Sequence, residues 1–174
     1  MTRLLVVLAA ALALAACQVG ETVEDMTAEQ PAEAAPVAAA SLPADAPTLT
    51  VYKTPTCGCC TAWAEYMERE GFRVETRDLP TLAAVKDSLG VPADLGSCHT
   101  GVVDGYVVEG HVPAASVRRM LDERPDARGL AVPGMPIGSP GMEQGDLRQP
   151  YDVLLVGEGG EAAVYDHVEG NARP

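Results

Sequence analysis

Apolar residues fall along this chain in blocks whose period changes from one block to the next. The first block, Leu4 to Ala16, is a continuous apolar run behind one positive charge, Arg3. It has the length of a secretory leader core and is too short to cross a bilayer as a helix. From 18 to about 47 large apolar residues nearly vanish, and Ala, Pro and Glu dominate. Such a stretch buries too little surface to order itself and reads as a flexible tether. Regular patterning starts at Leu49-Thr50-Val51-Tyr52, a short β-prone run. A helix follows from Thr61 to Glu70, with Trp63, Tyr66 and Met67 on one face and Gly71 placed to end it. Phe72 to Thr76 alternates as a second strand. Pro80 and Thr81 precede a second helix that runs to about Leu89, where Gly90 stops it. Val102-Val103 and Tyr106 to Glu109 flank Asp104-Gly105, the strongest hairpin signal in the chain. A third helix spans Ala114 to Glu123, with Val117, Met120 and Leu121 apolar. Residues 128 to 149 are rich in Gly and Pro, long for a connection without structure of its own. Two last strands, Tyr151 to Val156 and Glu161 to Tyr165, flank Gly157-Glu158-Gly159-Gly160 as another hairpin.

These blocks divide the chain into a leader (1–16), a tether (17–47) and one domain of ordinary size (48–174), with an extension from about residue 128. The formal net charge is −13, and the 12 Lys and Arg residues form no patch. Nucleic-acid binding is therefore excluded as a reading. Leu14-Ala15-Ala16-Cys17 resembles the lipobox of bacterial lipoproteins. That resemblance implies cleavage before Cys17, lipid on its thiol and a membrane-anchored periplasmic protein. By analogy with a known sorting rule, Gln18 rather than Asp after the cysteine favours the outer membrane. Disulfides persist in that compartment.

With Cys17 lipidated, four of the five cysteines remain for chemistry. Three of them stand together in Cys57-Gly58-Cys59-Cys60, between the first strand and the first helix. Unpaired N–H groups and the positive end of the helix dipole stabilise thiolate there. Cys57 and Cys60 have the Cys-x-x-Cys spacing that permits a reversible disulfide, with Cys57 as nucleophile and Cys60 as resolving thiol. Strand, Cys-x-x-Cys, helix and strand is the thioredoxin arrangement. It predicts an α/β domain with a mixed sheet and helices on both faces, a three-layer sandwich that the extension completes with its β-hairpin. Cys59 has no use in a plain dithiol reductase, whereas crowded thiolates suit a soft metal such as Cu(I). In thioredoxin-like folds the loop before the hairpin strand faces the cysteine motif, so Cys98 is expected near Cys57 and Cys60. His99 beside it and His111 after the hairpin are candidate imidazole ligands. Met135 and Met142 have Gly and Pro neighbours and no helical packing, and are candidate thioether ligands or a cover for the site. Met67 and Met120 sit at core spacing, and His167 reads as a surface residue.

Tyr52-Lys53-Thr54-Pro55-Thr56-Cys57-Gly58-Cys59-Cys60, Ser97-Cys98-His99-Thr100, Gly110-His111-Val112-Pro113 and the stretch Gly134-Met135-Pro136 to Gly141-Met142-Glu143 together resemble the CopG-like periplasmic copper-resistance family. The resemblance spans about Leu49 to Tyr165. It implies a thioredoxin-like domain whose extension contributes to metal binding, several copper ions bridged by cysteine sulfurs, and an oxidoreductase role between Cu(I) and Cu(II). It carries Cys57, Cys59, Cys60 and Cys98 over as copper or redox residues, with His111, Met135 and Met142 beside them. The expected function is copper resistance in the periplasm, with an efflux or electron-transfer partner. The alternatives are a thiol–disulfide oxidoreductase working through Cys57 and Cys60, and a copper metallochaperone without redox activity.

Overall fold

A computed structural model describes residues 42–171. The expectations for the leader, for Cys17 and for most of the tether lie outside the described residues. The domain runs β1 (Thr48–Lys53), α1 (Gly58–Arg69), β2 (Arg73–Asp78), α2 (Ala83–Ser88), a 3-10 turn (Ala93–Leu95), β3 (Thr100–Val103), β4 (Tyr106–Glu109), α3 (Ala114–Glu123), β5 (Gly129–Ala131), β6 (Tyr151–Val156) and β7 (Ala162–Val168). The strands form one sheet in the order β2-β1-β3-β4-β5-β6-β7. β1 pairs with β2 in parallel, as the α1 crossover requires, and β4 pairs with β5 in parallel through α3. The other neighbours are antiparallel. The Asp104-Gly105 turn has φ of 51° and 88°, the left-handed pair that a type I′ hairpin needs.

Alternation along each strand splits the side chains between two faces. Leu49 and Val51 of β1, Val103 of β3, Val108 of β4 and Leu130 of β5 meet Trp63 and Met67 of α1 and Val117 and Met120 of α3 in the main core. Their neighbours along the strands turn the other way. Ala131 and Val156 pack with Leu95 of the 3-10 turn in a second, smaller cluster. Helix α2 has no fully buried residue of its own; its N-cap Leu82 is buried and its Lys86 pairs with Glu109 of β4. The result is a thioredoxin-like α/β sandwich. Tyr66 and Trp63 lock α1 to the start of α3. The Tyr66 hydroxyl accepts from Ala114 N–H at 3.1 Å, and Trp63 Nε1–H donates to Val112 O at 3.0 Å.

The extension departs from the sequence-based expectation in one respect. Its hairpin is part of the main sheet, joined through the three-residue strand β5, which lies in the stretch read as irregular. Leu130 is 1 % exposed and Val153 is 0 % exposed, and both belong to the core that Trp63 anchors. Strand β7 also runs on to Val168, with an irregularity in register at Val153 and Leu154.

If the extension and the first half of the domain share one core, they unfold together. Leu130→Ala is expected to cost about 2–5 kcal/mol, the range for emptying a buried leucine site. Urea unfolding followed by Trp63 fluorescence and by far-ultraviolet circular dichroism should give one coincident transition, shifted to lower urea. Two separated transitions would contradict a common core.

Candidate metal centre

Helix α1 begins inside the cysteine cluster. Cys57 is its N-cap residue, in extended conformation, and no acidic residue stands in the first turn. Thr61 closes the turn by donating from its N–H and its hydroxyl to Cys57 O, both at 3.2 Å. The sulfurs are therefore the groups that meet the positive end of the helix. Cys57 and Cys60 are joined as a disulfide, with Cα atoms 5.3 Å apart, and Cys59 and Cys98 are free. Cys59 Sγ lies 3.6 Å from Cys57 Sγ and 3.8 Å from Cys98 Sγ. Cys60 is fully buried, and its sulfur is 3.6 Å from Cys98 O.

The loop that carries Cys98 is held from the other face of the sheet. Glu109, 1 % exposed at the end of β4, accepts from Ser97 N–H at 2.5 Å and from the Thr100 hydroxyl at 2.7 Å, and pairs with Lys86 of α2. Lys86 also donates to Thr100 Oγ1 at 2.9 Å. One buried carboxylate thus fixes the residues on both sides of Cys98-His99. Ser97 completes the frame by donating from its hydroxyl to Gly134 O, which ties this loop to the methionine loop.

His111 Nδ1–H donates to Pro140 O at 2.8 Å. That bond fixes the tautomer and leaves the Nε2 lone pair facing Cys98 Sγ at 3.1 Å. A backbone carbonyl on one ring nitrogen is the support that metal-ligating histidines usually have. His99 Nδ1 stands 3.4 Å from the same sulfur. Its ring lies against Trp63, with centroids 4.3 Å apart, and meets His111 edge-on at 4.9 Å. His99 Nε2 is buried without a partner. Burial holds both imidazoles below the ordinary histidine range, His99 well below it with further help from His111 and Lys86. Burial and the neighbouring Cys59 push the Cys98 thiol up to about 12, so without metal it stays protonated.

Two ligand groups result, each with its donor atoms within 4.8 Å of one another: Cys57, Cys59, Cys60 and Cys98, and Cys98, His99 and His111. Cys98 belongs to both. The first is all sulfur and suits a soft ion; the second mixes sulfur and nitrogen. Cys98 lies beside Cys59, where the loop before the hairpin was expected to bring it, and His99 and His111 lie beside Cys98. The methionines stand differently. Met135 is 52 % exposed and Met142 is half-buried, both in a loop closed by its own hydrogen bonds, Gly138 N–H to Met142 O at 2.9 Å and Met142 N–H to Ser139 O at 2.8 Å. That loop seats on the motif through Gly141. A Cβ there would come within 2.7 Å of Cys59 O and of Trp63 N, and φ is +80°. His167 is on the surface, paired with Asp152 at 2.6 Å. Sequence reasoning missed Glu109, Lys86 and the Pro140 carbonyl. A lone acidic residue at a strand end carries no signal of burial, and a carbonyl carries none at all.

Fold and site together define a thioredoxin-like domain with a clustered sulfur–imidazole centre. A family model described as a protein of unknown function, DUF411, matches residues 95–142, from the 3-10 turn to Met142. Among solved structures, form 2 of the copper resistance protein CopG is similar at 46 % identity and a TM-score of 0.69, over 72 % of this chain and 100 % of that one. Form 1 is similar at 48 % identity and a TM-score of 0.67, over 71 % of this chain and 98 % of that one. Among curated proteins none matches the chain. The chain belongs to the CopG copper-resistance protein family.

Two expectations follow from the geometry. Glu109→Ala leaves the Lys86 ammonium unpaired and Ser97 N–H without its acceptor. Breaking a buried pair in this way costs about 3–5 kcal/mol, read as a lower urea midpoint, and Cys98 should react faster with a thiol reagent. Unchanged Cys98 reactivity would remove Glu109 from the site's framework. The second concerns pH. Both buried histidines have pKa values below those of the unfolded chain, near 6.5. As pH falls through that value the unfolded chain takes up protons that the folded one refuses, so stability present above about pH 6.5 is lost on acidification. His167 is shifted upward by Asp152 and opposes the trend. In a His167→Ala background, the melting temperature of metal-free protein should fall between pH 7.5 and 5.5, and His99→Gln should flatten the slope. A flat profile with His99 intact would contradict its burial as a neutral ring.

Proposed function

We propose that this chain binds copper and serves copper resistance, holding the ion as cargo and exchanging it between Cu(I) and Cu(II). The observation that carries the reading is the Cys98 sulfur, shared by a four-sulfur group and a sulfur–imidazole group. Thiolates favour Cu(I), and imidazoles add stability for Cu(II). A centre offering both sets through one shared atom fits an ion that changes valence. The residues present also fit copper in a second way. An imidazole buried with one nitrogen unpaired, as His99 is, costs stability that an aliphatic side chain in its place would not. The His99 Nδ1, 3.4 Å from Cys98 Sγ, is the nitrogen turned to the sulfur set and the atom a metal there would use. Copper held there would supply a one-electron couple; the protein supplies sulfur and nitrogen donors and a half-buried pocket, and gives up the Cys98 thiol proton to solvent on binding.

With Cys57 and Cys60 joined, Cys59 and Cys98 are the free thiols among the described residues, so the full sulfur set needs two electrons to open. The leader read in residues 1–16 suits this chemistry, because it directs the chain to a compartment where a disulfide and a thiol can both persist. The two named relatives carry copper resistance in their names, which supports the same reading. A second reading, a thiol–disulfide oxidoreductase, is favoured by the Cys57–Cys60 pair itself.

Anaerobic competition against a chromophoric Cu(I) chelator separates the readings. Reduced protein should take up more than one Cu(I) per chain, and the disulfide form fewer. Cys98→Ser should weaken both Cu(I) and Cu(II) binding by at least about tenfold, no less than the loss of a supporting group beyond the ligands themselves. Cys59→Ser should weaken Cu(I) alone. Protein that ignores cuprous ions, yet reduces insulin disulfides at a rate unaffected by Cys59→Ser, would establish the second reading instead.

A further inference from the structure

Four sulfurs lie within 4.8 Å of one another in this molecule. Cys60 is bonded to Cys57, Cys57 is 3.6 Å from Cys59, and Cys59 is 3.8 Å from Cys98. The two thiols left free by the first disulfide are neighbours of each other. They come from segments 38 residues apart on their nearer sides, the start of α1 and the loop before β3. We propose that Cys59 and Cys98 form a second disulfide, so that the four thiols work as two dithiol pairs rather than as one pair and two separate ligands.

With Cys57 and Cys60 already joined, Cys59 and Cys98 are the thiols left to pair among the described residues. A disulfide needs its two sulfurs to close to about 2 Å. A 3.8 Å separation between side chains that are each a single rotatable arm on fixed backbone is within reach of small χ1 changes. Both segments are held in place, Cys59 in the first turn of α1 and Cys98 between the Ser97 and Thr100 contacts to Glu109. Neither cysteine is fully buried, so an oxidant reaches the pair.

The Cys59–Cys98 bond forms by either of two balanced routes. In the first, one thiolate attacks a small-molecule disulfide and expels its thiolate. The second protein thiolate then attacks the mixed disulfide and expels the other half. The Cys59–Cys98 bond forms, the small-molecule S–S bond breaks, and the two protein protons end on the two released thiols. In the second, no external oxidant is needed. Cys59 thiolate attacks Cys57 Sγ, releasing Cys60 as thiolate, and Cys98, its proton passing to that released thiolate, attacks Cys59 Sγ and releases Cys57. One S–S bond moves from one pair to the other, and the electron count of the protein is unchanged. A small-molecule disulfide then oxidises Cys57 and Cys60 by the same two exchanges as in the first route, its two halves leave as thiols, and both pairs are closed.

On the copper reading proposed above, the consequence is a stepwise loss of sulfur donors. Four thiols are available when both pairs are reduced, two when one is closed, and none when both are closed. The fully oxidised centre keeps only the imidazoles.

The test needs no copper, so its outcome is separable from that reading. Full-length protein carrying Cys17→Ser is stripped of metal with a chelator, treated with excess oxidised glutathione, denatured, labelled with N-ethylmaleimide and digested with trypsin. Cleavage after Lys53, Arg69, Lys86 and Arg118 puts Cys57, Cys59 and Cys60 in one peptide and Cys98 in another. The expected result is complete loss of label at Cys98 and a disulfide-linked pair of these two peptides from monomeric protein. The link should persist in Cys57→Ser/Cys60→Ser and vanish in Cys59→Ser, with Cys98 labelled again. Full labelling of Cys98 in the oxidised Cys17→Ser protein would overturn the proposal. So would a link found only between two chains, or one that survives Cys59→Ser.

Discussion

Glu109 keeps two remote stretches of chain in register. Its carboxylate sits on the α2 side of the sheet, yet its contacts to Ser97 and Thr100 fix the loop whose Cys98 and His99 turn toward α1. A buried carboxylate is tolerated only when charge and hydrogen bonds compensate it, and Lys86, Ser97 and Thr100 together do so. The network adds little to net stability compared with apolar packing. What it supplies is position: a loop with few apolar anchors of its own is held against the helix that carries the other three cysteines.

Around that fixed loop the centre is assembled from four separate pieces of chain. The start of α1 gives Cys57, Cys59 and Cys60, and the loop before β3 gives Cys98 and His99. The segment after β4 gives His111, and the loop around Pro140 orients it. Trp63 lies against His99 and donates to Val112, next to His111, so the main core reaches directly to the ligand groups. The extension is therefore no appendage. It is tied into the sheet through β5, and its Gly141 seats against the first turn of α1 where no side chain fits.

The electrostatics of the metal-free centre run against charge. Burial depresses both imidazoles and raises the Cys98 thiol, so Cys98, His99 and His111 rest in their neutral forms. That protects a half-buried pocket from unpaired charge in the absence of a cation. It also makes any cation's arrival the event that releases the thiol proton and couples metal binding to pH.

Local chemistry was legible in the chain before any coordinates. The Asp104-Gly105 turn, the alternation of β1 and the apolar stripes of α1 and α3 each depend on neighbours within a few residues, and each is found where its pattern put it. The Cys57-Gly58-Cys59-Cys60 cluster announced itself for the same reason, since its spacing along one turn of helix is a property of sequence alone. Strand β5 did not, because three residues that begin at Gly129 and stop two short of Pro133 hold no period, and only pairing with β4 and β6 makes them a strand. Nor did the service of Glu109, whose partners lie on α2 and before β3. The sequence by itself determined which atoms can bind or exchange electrons. Tertiary structure alone decided that Cys98 lies within reach of Cys59, that His111 points its bare nitrogen at that sulfur, and that Glu109 is buried. Those facts arise from contacts between residues far apart in the chain, and the free energy that fixes them is spread over the whole sheet rather than stored in any local pattern.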